Sequence, residues 1–176
     1  MKDDPIGIIS GTFDPIHLGH LALADAAMNK FKLSAIYFAP EPDPRAKKPI
    51  ASITQRKKML RLAIKYNPKF KTLSLSSKTF SVDDFKELRS VFGNKKIYLI
   101  FGHDAYQNTK NWFKPEYQQI YNIEAIGFNR DEVAKGISSK KIRDSMDLSS
   151  LSKDVADYIK VNGVYNKGYA TMSIQK

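Results

Sequence analysis

Residues 6–20 read IGIISGTFDPIHLGH, an apolar run that passes into a glycine turn and two histidines. The isoleucines predict a buried strand, the glycine and proline after them predict its end, and the alanine-rich run at 18–30 predicts the following helix. His17 and His20 therefore stand at a helix N-terminus. Unpaired backbone N–H groups and the positive end of the helix dipole lie there, and both suit a polyphosphate. The pattern predicts a nucleotide site.

Two other interpretations of the histidines stay open on these residues alone. Residues three apart share one face of a helix, so the pair could hold a metal ion. The chain has no cysteine, its only other histidine is His103, and no carboxylate-rich cluster accompanies the pair. We therefore predict no metal site made of protein ligands. The glycines could instead only shape a tight turn, with the histidines as hydrogen-bonded polar side chains.

The composition indicates a single domain with a strong positive charge. The chain has 176 residues, of which 42% are hydrophobic, enough for one substantial core. The sequence shows neither a membrane-spanning apolar run nor a secretion signal, and with no cysteine we expect a cytoplasmic protein without membrane association. The net charge of +11 would attract any polyanion, but the lysines are dispersed and resemble no nucleic-acid-binding module. We therefore expect no specific nucleic-acid partner.

Short apolar runs alternate with helical patterns, which predicts an α/β protein with a parallel, doubly wound sheet. The predicted strands are 6–9, 35–39, 70–75, 97–101 and 123–128. The stretch 54–66 predicts a helix, and Ser81 with Asp84 predicts a capping box that opens another. We assign one domain to residues 1–165 and expect a loose tail at 166–176.

The first and fourth predicted strands locate the site within this sheet. Ligands of doubly wound sheets bind beyond the carboxyl ends of the strands, where the strand order reverses. The first strand ends at the histidine pair, and the fourth ends at Gly102, followed by His103 and Asp104. We therefore expect these two strands to be neighbours that flank the site.

A second phosphate signal lies near the C-terminus, where residues 136–143 read GISSKKIR at a predicted helix start. Backbone N–H groups and serine hydroxyls can hold phosphate oxygens, and Arg143 can make a bidentate contact that lysine cannot copy. A serine at a helix start can also be an ordinary N-cap, which is the alternative for this segment.

These motifs resemble those of the nicotinate mononucleotide adenylyltransferases, a family of the HxGH nucleotidylyltransferase superfamily. Residues 11–20 match the pattern G-x-F-x-P-x-H-x-G-H at every specified position. Residues 137–143 resemble I-S-S-T-x-I-R, with Lys140 in place of the threonine. Residues 102–104 resemble G-A-D, with a histidine in place of the alanine, and Trp112 follows at the family's spacing.

The likeness covers nearly the whole chain, with some departures. Residues 55–59, 79–85 and 155–165 are similar to the family's H-R-x-x-M, S-Y-T-x-D-T-L and closing segments. The loop at 41–48 lacks the histidine of the usual P-P-H-K, and the segment 130–138 is short. These departures bear on the choice between nicotinate and nicotinamide, which stays open.

The resemblance implies a Rossmann-like nucleotidylyltransferase fold and an adenylyltransferase activity. The enzyme would join the AMP moiety of ATP to nicotinate or nicotinamide mononucleotide and release pyrophosphate, in NAD biosynthesis. Mg²⁺ would be bound mainly through the substrate phosphates, and the partners would be ATP and a pyridine mononucleotide. Two alternatives remain: a related enzyme with phosphopantetheine or a phosphorylated alcohol as acceptor, and a non-catalytic nucleotide-binding domain.

The resemblance also assigns site residues by position. The implied catalytic residues are His17, His20 and Arg143. The implied ATP-binding residues are Gly11, Thr12, Phe13, Gly19, Gly102, Asp104, Ile137, Ser138 and Ser139. The implied mononucleotide-binding residues are Asp14, Thr79, Phe80, Ser81 and Trp112, with the indole stacked on the pyridine ring. Lys47 and Lys48 are candidate phosphate contacts that would replace the missing loop histidine.

Overall fold

A computed structural model describes residues 4–45, 47–109, 111–129 and 136–166. The strands in these ranges are β1 (Ile6–Gly11), β2 (Ala35–Pro40), β3 (Phe70–Thr72), β4 (Ile97–Gly102) and β5 (Ile123–Phe128). The helices are α1 (Leu18–Phe31), α2 (Ile53–Ile64), α3 (Asp84–Phe92), α4 (His103–Thr109), α5 (Pro115–Tyr121), α6 (Ser139–Ser145) and α7 (Lys153–Val161). In this part of the chain no helix is long and apolar enough to cross a bilayer.

The five strands form one parallel sheet in the order β3-β2-β1-β4-β5. The central strand β1 pairs on one side with β2, where Ile8 is opposite Tyr37, and on the other side with β4, where Ile8 is opposite Leu99. The strand order reverses between β1 and β4, which is where open α/β sheets bind ligands. The predicted fold class and the predicted neighbourhood of the first and fourth strands are confirmed.

Helices cover both faces of the sheet, so each strand buries side chains in two directions. Ile9 of β1 lies in a core formed with α1, α2, α6 and α7, whereas Ile6 and Ile8 lie in a second core with α3 and α5. Alternate side chains of a strand point to opposite faces, and two buried faces make the strand apolar throughout. This is why the first strand appears in the sequence as a continuous apolar run.

Two details of the predicted elements differ from the structure. The third strand ends at Thr72 rather than at residue 75, because Pro40 of the neighbouring β2 has no N–H to continue the ladder beyond the Phe38–Thr72 pair. The capping box of α3 forms in one direction only. The carboxylate of Asp84 accepts from the backbone of Ser81 at 2.7 Å, but the Ser81 hydroxyl accepts from Asp83 N at 3.3 Å.

Two predictions fall largely outside the described residues. The expected tail at 166–176 lies outside them except for Asn166, and so does most of the short 130–138 segment. The domain boundary at residue 165 therefore stays a prediction.

Candidate active site

A cavity of about 1020 Å³ opens at the carboxyl ends of β1 and β4. The predicted site residues that line it are Gly11, Thr12, Phe13, Asp14, His17, Gly19, His20, Lys47, Lys48, Thr79, Phe80, Ser81, Gly102, Trp112, Ile137, Ser138, Ser139 and Arg143. Asp104 is the exception. It is exposed in the first turn of α4, while Ala105 and Asn108 of the same helix reach the cavity wall. The structure thus brings together segments from both ends of the chain.

The two histidines form one stacked unit at the start of α1. The backbone N–H of His17 donates to Nδ1 of His20 at 3.2 Å, and the two ring centroids are 3.7 Å apart with a 24° angle between the planes. Because Nδ1 of His20 accepts this hydrogen bond, Nε2 carries the proton of its neutral ring. The ring therefore presents an N–H donor, which is what a phosphoryl oxygen requires.

Phe13 fixes the turn that precedes the histidines. Its backbone is left-handed, with φ of 47°, a conformation that large side chains rarely adopt. The residue is only 2% exposed. The ring packs edge-on against His20 at 5.1 Å and against Phe38 at 5.9 Å. A non-glycine residue in this conformation costs energy, and the packing of the ring on both sides offsets that cost. The turn is therefore held by the core rather than by local preference.

Asp14 lies inward and organises the elements around the turn. Its buried carboxylate accepts hydrogen bonds from Ile50 N at 2.8 Å, Ala51 N at 3.1 Å and the hydroxyl of Tyr165 at 2.7 Å. Arg143 Nη1 lies 3.7 Å from Oδ2 and donates to the main-chain carbonyl of Asp14. Both carboxylate oxygens are engaged with the protein, and the predicted contact with the mononucleotide stays a prediction.

Tyr165 supplies the phenolic donor in this network. Burial raises the pKa of Tyr165, and the neighbouring carboxylate of Asp14 raises it further. The phenol therefore stays protonated and continues to donate to Asp14 throughout the physiological pH range.

Sequence reasoning missed the importance of Arg56, which is 1% exposed. Its guanidinium donates to four main-chain carbonyls: Thr12 at 2.7 Å, Glu41 at 2.8 Å, Pro42 at 3.0 Å and Ala51 at 3.2 Å. Burial lowers the pKa of Arg56, while the nearby Asp14 carboxylate opposes that change. The side chain joins the β1 turn, the loop after β2 and the start of α2, three segments whose contact no local pattern indicates.

The start of α6 forms a wall of the cavity beside the turn that precedes the histidines. Ser138 is the N-cap, and its hydroxyl oxygen accepts from Lys141 N at 3.2 Å, which leaves its O–H as a donor. The hydroxyl of Ser139 instead donates to the Pro15 carbonyl at 2.9 Å. The Nε–H of Arg143 is buried and has no acceptor among the described residues. The Ser138 hydroxyl is therefore a donor that this wall can offer, and Lys140 and Arg143 of the same helix also line the cavity.

An aromatic cluster forms the other end of the cavity. The indole of Trp112 is half-buried and lies 6.4 Å from the Phe80 ring and 6.3 Å from the Phe101 ring, both nearly perpendicular to it. Trp112, Phe80 and Phe101 all line the cavity. Thr79, which precedes Phe80, donates its hydroxyl proton to the Asp43 carbonyl. This end of the cavity offers flat apolar surfaces suited to a planar ring.

The loop after β2 contributes charged side chains to the cavity wall. Lys47 and Lys48 line it as predicted, and so do Arg45 and Glu41, which sequence reasoning did not single out. The composition of the loop held a signal, since an arginine and two lysines lie within four residues. Three cations at one rim match the charge of polyphosphate ligands.

The polar side chains around the histidine turn are mainly hydrogen-bond donors. Within residues 4–45, 47–109, 111–129 and 136–166, no group of three or more histidine, aspartate or glutamate side chains could hold a metal ion. Hydroxyl, imidazole and guanidinium donors dominate the walls around the histidine turn. Such donors suit anionic ligands, and the expected Mg²⁺ stays a prediction.

Two curated relatives align with this chain. The probable nicotinate-nucleotide adenylyltransferase of Dictyoglomus thermophilum is 33% identical over 91% of this chain and 98% of its own length. The probable nicotinate-nucleotide adenylyltransferase of Dictyoglomus turgidum is 38% identical, in an alignment that spans 72% of this chain and 64% of the relative.

Among solved structures, the nicotinic acid mononucleotide adenylyltransferase of Plasmodium falciparum, complexed with NaAD, shares the fold with a TM-score of 0.70. It is 18% identical and covers 92% of this chain and 97% of its own. The fold and the position of the cavity define a doubly wound α/β protein with its ligand site where the strand order reverses. The model of the cytidylyltransferase-like family matches residues 8–145. The chain belongs to that family and, within it, to the nicotinate-nucleotide adenylyltransferases.

Proposed function

We propose that this protein transfers the AMP moiety of ATP to nicotinate mononucleotide and releases pyrophosphate, a step of NAD biosynthesis. One observation carries the proposal: the histidine turn, the start of α6 and the aromatic cluster all line a single cavity. Its volume of about 1020 Å³ is at the upper limit of the roughly 300–1,000 Å³ typical of small-molecule pockets. A cavity of this size suits two nucleotides held side by side, and the family of the chain supports the same reaction.

The chemistry requires no nucleophile from the protein. A phosphate oxygen of the mononucleotide attacks the α-phosphorus of ATP, and a new P–O bond forms. The bond from that phosphorus to the oxygen bridging the α and β phosphates breaks, and pyrophosphate leaves with the electron pair. The protein aligns two polyanions and stabilises the charge that develops on their oxygens, which is where phosphoryl-transfer enzymes obtain their rate.

The histidine turn and α6 would supply that alignment. His17 and His20 would donate to the transferring and leaving phosphates, and Arg143 with the Ser138 hydroxyl would hold the triphosphate. Because Ser139 donates its hydroxyl proton to Pro15, it would contribute through its backbone N–H. The other ATP contacts in this proposal are Gly11, Thr12, Phe13, Gly19, Gly102 and Ile137, which all line the cavity. Asp104 does not line it, and its predicted ATP contact rests on the resemblance alone.

Mg²⁺ would be held between phosphate oxygens, with the cavity supplying few direct ligands. When bound, it would polarise the phosphates and neutralise part of their charge. The donor set around the histidine turn fits that arrangement, because it offers proton donors to the oxygens that the ion leaves uncoordinated.

The acceptor would occupy the aromatic end of the cavity. The pyridine ring would stack on Trp112, with Phe80 beside it and with Thr79, Ser81 and Asp14 nearby. A cationic ring over an indole face gains on the order of 1–2 kcal/mol when water is excluded. Lys47 and Lys48 would screen the phosphates at the rim.

The test is Mg²⁺-dependent release of pyrophosphate from ATP, with nicotinate mononucleotide, nicotinamide mononucleotide and phosphopantetheine supplied in separate reactions. We expect pyrophosphate to be released with a pyridine mononucleotide, fastest with nicotinate mononucleotide, and the matching dinucleotide to form. Release with phosphopantetheine alone would assign a different acceptor. ATP binding without release in any reaction would show a non-catalytic nucleotide-binding protein.

A further inference from the structure

Glu41 is a half-buried carboxylate in the cavity that the reaction above does not use. Glu41 directly follows β2, and both its backbone N–H and its carbonyl are hydrogen-bonded. Its N–H donates to the Gly11 carbonyl at 3.0 Å, and its carbonyl accepts from Arg56 Nη1 at 2.8 Å. Its side chain is also hydrogen-bonded to Ser10. The carboxylate is therefore held at a defined place in the cavity wall.

The contacts of the loop place Glu41 at the aromatic end. Asp43 N donates to the Lys78 carbonyl at 3.0 Å, and the Thr79 hydroxyl donates to the Asp43 carbonyl, so the loop is bound to the segment that carries Phe80. Glu41 and Phe80 line the main cavity together, and both also line a small adjoining cleft. Phe80 in turn contacts Trp112. One carboxylate and two aromatic rings thus share one end of the cavity.

A carboxylate in a cavity that binds two polyanions is stabilised by cations, and Lys47 and Arg45 are cations that already act on Glu41 in the free protein. Burial raises the pKa of Glu41; the Ser10 hydrogen bond lowers it, the charge of Asp84 raises it, and the cations Lys47 and Arg45 lower it. A bound cation would favour the ionised carboxylate in the same way as the lysine and the arginine. The phosphates of both substrates and the carboxylate of nicotinate are negative, so the one positive group that the acceptor itself carries is its pyridinium ring.

We propose that Glu41, together with Phe80 and Trp112, recognises the positive charge of the pyridinium ring and makes that charge a condition of acceptor binding. Aromatic faces and a carboxylate are the groups that hold organic cations in proteins. The enzyme would therefore discriminate the oxidised, cationic ring from the reduced, uncharged dihydropyridine ring. This inference rests on the proposed function, because it concerns the acceptor half of the same cavity.

The test compares two ligands that differ in ring charge, the oxidised and the dihydro form of nicotinate mononucleotide. Their dissociation constants are measured by calorimetry in the presence of a non-hydrolysable ATP analogue, for the wild type and for Glu41→Gln. Glutamine keeps the shape of the side chain and a carbonyl that can accept from Ser10. We expect the variant to bind the oxidised form about tenfold more weakly, the effect of one charge-assisted contact, and the dihydro form with unchanged affinity.

Two matched variants separate charge recognition from other effects. Glu116→Gln removes an exposed charge on α5 and should leave both dissociation constants unchanged. Ser10→Ala removes the hydrogen bond to Glu41 but keeps the carboxylate, so it should retain the preference for the oxidised form. Equal weakening of both ligands by Glu41→Gln, or no weakening, would overturn the inference. Selective binding without dinucleotide formation by the wild type would overturn the proposed function instead and leave this inference standing.

Discussion

The hydroxyl of Tyr165 donates a 2.7 Å hydrogen bond to Oδ1 of Asp14, joining two residues that are 151 positions apart. Arg143 Nη1 lies 3.7 Å from the other carboxylate oxygen. The last described segment of the chain is thereby fixed to the turn that holds the histidine pair, and the same carboxylate orients the arginine proposed to hold ATP. Asp14 therefore links Tyr165, in the last described segment, to Arg143, and this link helps to fix the geometry of the phosphate site.

Replacement of Tyr165 by phenylalanine removes this donor, together with a weak contact of the hydroxyl with Met59 Sδ at 4.0 Å, and keeps the ring. Loss of a buried hydrogen bond to a charged acceptor typically costs about 1.5–3 kcal/mol, so the free energy of unfolding should fall by that amount. Because Asp14 then holds Arg143 less firmly, KM for ATP should rise several-fold. Urea denaturation and steady-state kinetics measure the two effects.

The matched control is Tyr158→Phe on α7, a half-buried tyrosine that packs against the core. It should change the free energy of unfolding by less than about 0.5–1 kcal/mol and leave KM for ATP unchanged. In an Arg143→Ala background, Tyr165→Phe should no longer affect KM. A further rise there would mean that Tyr165 acts by another route.

Replacement of His20 by alanine should separate catalysis from folding. The ring donates to the transferring phosphates in our proposal, and loss of one such donor lowers kcat by about 10²–10³-fold. His20 also has a structural role, because its Nδ1 accepts from His17 N and so caps the N-terminus of α1. Loss of such a cap lowers the free energy of unfolding by about 1 kcal/mol. Single-turnover measurement of dinucleotide formation, combined with thermal unfolding, gives both numbers.

The control for this variant is His103→Ala, which removes an exposed imidazole at the start of α4. Turnover by that variant should match the wild type. Full turnover by His20→Ala would remove the histidine from the mechanism, and an unfolded protein would show that its capping role had been underestimated.

The sequence predicts the helices and strands of this protein better than the contacts between them. The elements depend on residues that are close in sequence, whereas the contacts join residues that are far apart in sequence. The turn at 11–20 and the start of α6 are local patterns, since spacing along one strand or one helix turn determines them. Arg56 has no such signature, because the carbonyls that it binds lie up to 44 positions away and any carbonyl would serve. The inward position of Asp14 likewise depends on Tyr165, a partner that only the folded chain brings near.

Replacement of Arg56 by methionine should be among the most destabilising single changes in the protein. The variant removes the guanidinium donor from one buried carbonyl, that of Ala51, and from three part-buried ones, and one unsatisfied buried group alone costs about 1–3 kcal/mol. We expect the free energy of unfolding to fall by about 3 kcal/mol or more, measured by urea denaturation. Arg61→Met, at an exposed position of the same helix α2, should change it by less than about 0.5 kcal/mol. Similar values for the two variants would contradict the assigned role.

Replacement of Glu41 by glutamine should stabilise the free protein at neutral pH, which is the opposite of the usual result for a residue in a binding site. Burial raises the pKa of Glu41, so the folded state binds the proton more tightly than the unfolded state. Protonation of Glu41 therefore stabilises the folded state. This contribution is fully present at pH values below the pKa of Glu41 in the unfolded state, and it is lost as the pH rises through the pKa of Glu41 in the folded state. At neutral pH the wild type therefore carries a desolvated charge that the glutamine variant lacks.

The pH dependence of that difference is the decisive measurement. Urea denaturation of the wild type and of Glu41→Gln at neutral pH and at about pH 4 should show a stability gain that shrinks in acid, where the wild-type carboxyl is protonated as well. Glu116→Gln, whose side chain is exposed on α5, should show no such trend. A gain that is equal at both pH values would mean that packing rather than charge sets the difference. A gain confined to neutral pH would mean that the free protein retains a destabilising carboxylate, which a cationic acceptor would then neutralise.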